Sequence, residues 1–286
     1  MARSITRPLA AAFLVLATAL ALTACGGGGG GGEDISADLT PRQLLERSAA
    51  EAGKLDSFQI AIDATGQVQL APSAGGALAG VVNGPLALTG EGPVQPPDKA
   101  SIDAKLELAA FAPQVNLTRV GDEVFVGVLG QDFKLALPAE QVALFDFGAL
   151  YPTLTGWVKD PAEAGREDLD GTPVVKVTGE IDATVALRDL APVLQVNLPR
   201  SVNPGALDAA LKEGTVEAWI GTEDLRPRRV RVVLKADGLA GLGLPVSSLD
   251  LDLTADLSGF DEPVDITAPK NARPLDLNDL GSLTGG

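Results

Sequence analysis

From Ser247 to Leu257 the chain alternates cleanly, with Leu249, Leu251, Leu253, Ala255 and Leu257 on one side and Asp250, Asp252, Thr254 and Asp256 on the other. A period of two predicts a β-strand with one apolar and one wet face. The same alternation runs through Val216–Ile220 and Arg229–Leu234, and Phe58, Ile60, Ile62 and Ala64 carry it from Ser57 onward. Further strands are expected at Val68–Leu70, Leu86–Thr89, Ser101–Ala109, Gln114–Val120, Glu123–Val128, Phe133–Ala136 and Val174–Gly179, divided by glycine- and proline-rich turns. Gly121-Asp122, set between two β-rich runs, predicts a tight hairpin.

Helical spacing is sparser. Thr40-Pro41-Arg42-Gln43 supplies an N-cap, a proline at the first helical position and the Gln of a capping box. Leu44, Leu45, Ala49 and Ala52 then form a stripe that Gly53 stops, so a helix is expected over 41–53. Pro138–Tyr151 reads as a helical insertion, with Val142, Phe145 and Ala149 in phase and Leu150 and Leu154 continuing toward Trp157. Ala183–Leu194 places Leu187, Leu190 and Leu194 on one face, although Pro192 ends it early. A last helix, Ala206–Lys212, follows Asn203-Pro204-Gly205 and stops at Gly214.

The order is one helix, many strands, helices, then strands again, with no βαβ rhythm. That predicts an α+β fold: a strongly curved antiparallel sheet, a half-barrel, packed on a few helices. About nine or ten amphipathic strands offer more apolar face than so few helices cover, which leads to the expectation of an apolar cavity.

The amino terminus changes where such a protein works. Arg3 and Arg7 precede an apolar run from Leu9 to Leu22, and Leu22-Thr23-Ala24-Cys25 ends it as a lipobox. The run is shorter than the roughly 20 residues that span a bilayer, and the glycines from Gly26 to Gly32 cannot extend it as a helix. The expected organisation is a lipoprotein signal over 1–24, a glycine-rich tether over 25–40, one domain over 41–275 and a tail over 276–286. In the bacterial lipoprotein pattern that this stretch resembles, Cys25 becomes acylated, palmitate being a typical chain. Two or three acyl chains hold a protein stably at a membrane where one is marginal. An ordinary cleaved signal, or an uncleaved N-terminal helix with Cys25 incidental, is the alternative.

Charge narrows the partners. Of 22 basic residues, Arg3 and Arg7 leave with the signal, and the 38 acidic residues then give the mature chain a net charge of −18. A surface of that sign repels nucleic acid and anionic lipid alike. The anchor, not the surface, is therefore expected to hold the protein at the outer face of the cytoplasmic membrane or in the cell envelope. The chain has one cysteine and no histidine, which removes disulfides from the domain, soft-metal sites and the usual general base. No metal, cofactor or catalytic residue is expected. Asp168-Leu169-Asp170-Gly171 begins like a calcium loop, but position 12 is Gly179 where a glutamate is needed, so a turn is expected.

Three segments, Gly171–Gly179, Val216–Ile220 with Leu225-Arg226-Pro227-Arg228-Arg229, and Ser258–Pro269, are similar to the actinobacterial lipoproteins of the LppX/LprAFG group, which carry glycolipids and wax esters in the envelope. The resemblance implies a half-barrel on helices like the carriers of the LolA/LolB type, with an aliphatic cavity and no catalytic residues. It implies a membrane-anchored protein that binds an acylated lipid or glycolipid and transports or presents it, with an envelope exporter as a partner. Cavity candidates are Phe58, Phe125, Phe133, Phe145, Leu150, Trp157 and Trp219, and Arg228 and Arg229 are candidates for an anionic headgroup. Two other readings stay open: an envelope interaction or sensor module with a solid core, and a hydrolase using paired carboxylates.

Overall fold

The computed structural model describes residues 33–72, 83–108, 112–137, 142, 146–190 and 204–275. Helix α1 (Pro41–Ala52) is followed by six strands: β1 (Phe58–Leu70), β2 (Gly84–Gln95), β3 (Lys99–Leu108), β4 (Gln114–Val120), β5 (Glu123–Val128) and β6 (Gln131–Leu135). Helix α2 (Phe147–Gly156) leads to β7 (Val158–Leu169) and β8 (Thr172–Ile181). Helices α3 (Ala183–Leu190) and α4 (Pro204–Ala210) precede β9 (Leu211–Gly221), β10 (Pro227–Asp237), β11 (Val246–Ser258) and the short β12 (Arg273–Leu275).

The strands form one 12-stranded sheet in the order β12-β6-β5-β4-β3-β2-β1-β11-β10-β9-β8-β7. The chain starts in the middle, meanders out to β6, crosses through α2 to the far edge at β7, and meanders back until β11 pairs with β1. All neighbours are antiparallel except β12, which lies parallel to β6. Neither β7 nor β12 meets the other, so the curved sheet stays open. This is the expected α+β half-barrel.

Local chemistry accounts for the elements. At α1 the Thr40 hydroxyl accepts from the Gln43 N–H at 3.3 Å while Gln43 Oε1 accepts from the Thr40 N–H at 3.0 Å, a reciprocal cap that satisfies two otherwise free donors. Its stripe buries Leu44, Leu45, Ser48 and Ala52. These meet α2 and the Phe58 end of the sheet in a core that includes Tyr151, Leu154, Ile60, Val230, Ala255 and Leu257. The Tyr151 hydroxyl donates to Ser48 Oγ at 2.9 Å inside that core, and burial pushes the phenol well above its ordinary range, so it stays neutral. A second, smaller core joins Ala210 of α4 to Ala236, Leu239 and Leu244.

Several expectations are corrected. β1 is one strand of 13 residues where two were expected. β7 is a strand that the sequence pattern does not predict: all of it except Val158, Pro161 and Leu169 is exposed, so this edge strand carries no core alternation to read. The helix before Trp157 begins at Phe147, capped by Asp146; most of 138–145, Phe145 included, lies outside the described residues, as does the stretch beyond Leu190. The last helix ends at Ala210, and Gly214 lies within β9 where a helix stop was expected. Asp168–Gly171 is the expected turn: Asp170 and Gly171 take φ of 53° and 84°, and the Gly171 N–H donates to Asp168 Oδ1 at 2.6 Å.

Candidate functional site

Pairing registers sort every strand residue onto one of two faces. On the helix side, successive rows run across the sheet. One joins Phe58, Val94, Ala100, Arg119, Val124 and Leu135. Two further along lies Ile62, with Ala255, Gly90, Ala104, Val115 and Val128. Next come Val232, Leu253, Ala64, Leu88 and Leu106, then Leu234, Leu251, Gly66 and Leu86. From β10 to β5, no charged residue occupies these last three rows.

Burial changes along this face. Near Phe58 the rows lie under α1 and α2 and are closed: Phe58, Ile60, Val94, Ala100 and Ile102 are all buried. Toward the other end, Leu86, Leu88, Leu106, Leu251 and Leu253 are only half-buried, and among the described residues they belong to neither core. These strands stand at the middle of a 12-stranded sheet, where a filled interior would close them. Gly66 and Gly90 interrupt the rows with no side chain at all. The result is a continuous aliphatic surface on which a flat or extended apolar group can lie.

The sequence-predicted cavity residues divide. Phe58, Trp157 and Leu150 come together in or against the closed core under α1 and α2, and the Trp157 indole N–H donates to Asp189 Oδ2 at 3.0 Å. Phe133 lies on the helix side at the β6 edge, half-buried, with the Arg273 guanidinium 5.2 Å from its ring centre. Phe125 and Trp219 are corrections. Phe125 pairs with Thr118 and alternates with Val124 and Val126, which puts it on the opposite face. Trp219 alternates with the buried Ala218 and Ile220. It too faces away from the helices, with Lys176 Nζ 4.5 Å and the Arg229 guanidinium 5.9 Å from its ring and its N–H donated to Glu167.

The headgroup candidates are engaged elsewhere. Arg228 donates to Asp224 at 2.6 Å and lies 4.7 Å from the Phe260 ring, while Arg229 donates to Asp256 at 2.5 Å. Arg229 belongs to a lattice of charge pairs on the face away from the helices, with Arg231–Asp252 at 2.6 Å and Lys176–Glu217 at 2.6 Å, while Arg228 sits at a register irregularity of β10. The hydrogen bond from Arg231 holds the Asp252 carboxyl below its usual range and raises the guanidinium in turn. The acidic row of β11 is thus a solvated, cross-paired strand face.

An open groove of about 950 Å³ lies on this same polar face, lined by Asp63, Glu91, Asp103, Lys105, Asn116 and Asp256 among others. Its floor is acidic. Among the described residues no group of three or more metal-ligating side chains comes together, and no helix is long and apolar enough to cross a membrane.

Fold and face together define an open half-barrel with an aliphatic inner side. No family model and no curated protein matches the chain. Among solved structures it is similar to the lipoprotein LppX of Mycobacterium tuberculosis, at 17% identity over 79% of this chain and 98% of that one, with a TM-score of 0.46. It is similar to LprF of Mycobacterium bovis, at 17% identity over 81% and 97%, with a TM-score of 0.49. A LolA superfamily protein of Nitrosomonas europaea matches at 14% identity over 80% and 96%, with a TM-score of 0.27. The likeness is one of fold, and the superpositions are loose; the half-barrel itself stands on the strand order and packing above.

Proposed function

We propose that this protein is a non-enzymatic envelope lipoprotein that binds an acylated lipid or glycolipid on its helix-side face and transports or presents it, anchored to the membrane through Cys25. The observation that carries the reading is the half-buried state of Leu86, Leu88, Leu106, Leu251 and Leu253 in central strands. An aliphatic surface of this kind is costly in water at about 25 cal/mol per Å². An acyl chain laid on it removes both its own hydrocarbon and the leucines from water, at roughly 0.8 kcal/mol for each methylene buried. Binding of this type needs shape and aliphatic lining, not polar anchors, which suits a face whose three outer rows hold no charge across the central strands. An envelope exporter that supplies or removes the lipid fits the same reading.

The test is direct. The full chain is purified in mild detergent, and its bound lipids are extracted and identified by mass spectrometry. Acylated lipid at near-stoichiometric amounts is expected. Protein that carries none, and acquires none when offered acylated lipid in micelles, overturns the proposal.

A further inference from the structure

The helix-side face carries one charge amid apolar surroundings. Pairing puts Arg119 of β4 in the row of Phe58, Val94, Ala100, Val124 and Leu135. From β11 across to β6, no other charged residue falls on that face among the described residues. Val94, Ala100 and Val124 beside Arg119 are buried. Along the same strand follow Leu117 and Val115, half-buried, with the half-buried Val126 and Val128 of β5 paired against them.

The guanidinium is only partly satisfied. Its Nε donates to the Gly121 carbonyl at 3.1 Å, which ties it to the β4–β5 turn. Its Nη1 is buried and has no hydrogen-bond acceptor among the described residues. The arginines of the opposite face and of the loops differ: Arg166, Arg226, Arg229 and Arg231 each pair with a carboxylate. Arg228, whose Nε is also enclosed, pairs with Asp224 through Nη2. A buried cation without a counter-ion opposes folding. Such a break in the local rules, uncompensated within the fold, marks a place that something else completes.

We propose that Arg119 receives the anionic headgroup of the acylated ligand, a carboxylate or a phosphate. The inference rests on the lipid-binding reading above and narrows it to lipids whose head carries an oxyanion. A guanidinium suits either group, because its fixed N–H donors match paired oxygens. Ala100 pairs with Arg119, and Leu106 stands six residues further along β3, about 20 Å at 3.4 Å per residue. A head held at Arg119 therefore lets an extended acyl chain run past Leu117 and Val115 to the row of Leu88 and Leu106. The outer rows supply hydrocarbon contact, and Arg119 sets which end of the lipid lies at the β4–β5 turn.

The full chain, delipidated, is titrated by fluorescence anisotropy with three probes that share one tail-labelled hexadecanoyl chain: the free acid, the lysophosphatidic acid and the neutral methyl ester. On the unaltered protein at least one anionic probe is expected to bind roughly tenfold tighter than the ester, and the tighter of the two identifies the head as carboxylate or phosphate. Arg119→Met is expected to bring both anionic probes to the affinity of the ester, without lowering the urea midpoint, and Arg119→Lys to keep part of the preference. Equal binding of all three probes by the unaltered protein overturns the assignment and needs no variant. A preference that survives Arg119→Met, with a lowered urea midpoint, shows a cation that serves the fold and overturns it too. In both cases the ester still binds, so the lipid-binding reading stands; a protein that binds none of the three probes overturns both.

Discussion

Leu88→Asn separates a binding face from a core. Leu88 lies across from Ala64 and Leu106 on the helix side and is half-buried. Burying a whole leucine side chain is worth about 1.5–3 kcal/mol, so a half-buried one gives roughly 1 kcal/mol, and the lower strand preference of asparagine adds up to about 1 kcal/mol. The expected loss of unliganded stability is therefore about 1–2 kcal/mol. Leu44, with 0% exposure in the α1 core, sets the comparison, because Leu44→Ala is expected to cost about 2–5 kcal/mol. With an acyl chain over it, the introduced side-chain amide is closed off without a partner at a cost of about 1–3 kcal/mol. At 1.4 kcal/mol for each tenfold, lipid binding weakens by roughly 5- to 150-fold. Urea unfolding monitored by circular dichroism gives the first quantity, and titration with a labelled lipid gives the second. A Leu88→Asn protein destabilised as much as Leu44→Ala would refute the reasoning, because it would mean that the leucine rows are an ordinary filled core.

Tyr151→Phe and Ser48→Ala each leave one buried hydroxyl without its partner and are expected to cost about 1–3 kcal/mol. The double variant should cost less than the two singles together, which a double-mutant cycle in urea measures. Thr40→Ala removes the reciprocal cap of α1 and should lower stability by about 1 kcal/mol, read from the same unfolding curves. Asp252 is held below its usual 3.8 first by the hydrogen bond from Arg231; the unfolded chain therefore takes up the proton before the folded one does. The pair adds stability above that value and loses it as pH falls through the lower folded value, so Asp252→Asn should lower the denaturant midpoint slightly near neutrality, flatten its decline below about pH 4 and differ least from the parent in acid.

Much of the architecture is legible in the chain, for reasons that differ by element. The capping box of α1 and the alternation of β11 are local devices, and both stand where the sequence puts them. β7 could not be read because an edge strand buries almost nothing, and its charged residues look like a loop. Two of the aromatic residues expected to line a cavity, Phe125 and Trp219, lie on the far face of the sheet. Weighting aromatics as cavity lining overrode the alternation of Val216, Ala218 and Ile220, which already placed Trp219 on the far face. Phe125 fails for the same reason beside Val124 and Val126. The leucines of β2, β3 and β11 carried the signal, but their sharing of one surface depends on a register of long-range pairings that no local window contains.

Element lengths explain why that surface stays open. β1 and β11, the pair that joins the two halves of the sheet, are 13 residues each, about 44 Å at 3.4 Å per residue. α1 has 12 residues and α2 has 10, about 18 and 15 Å at 1.5 Å per residue. Side by side and laid along the strands, these helices span at most about 18 of those 44 Å, and they pack at the Phe58 end. α4 and the turn from Leu239 to Leu242 cover the β9–β11 corner at the other end. Among the described residues, the rows of Leu253, Leu88 and Leu106 and of Leu251 and Leu86 belong to neither core. Among the described residues, the half-buried leucines thus follow from the short reach of a helix set against the long reach of a strand.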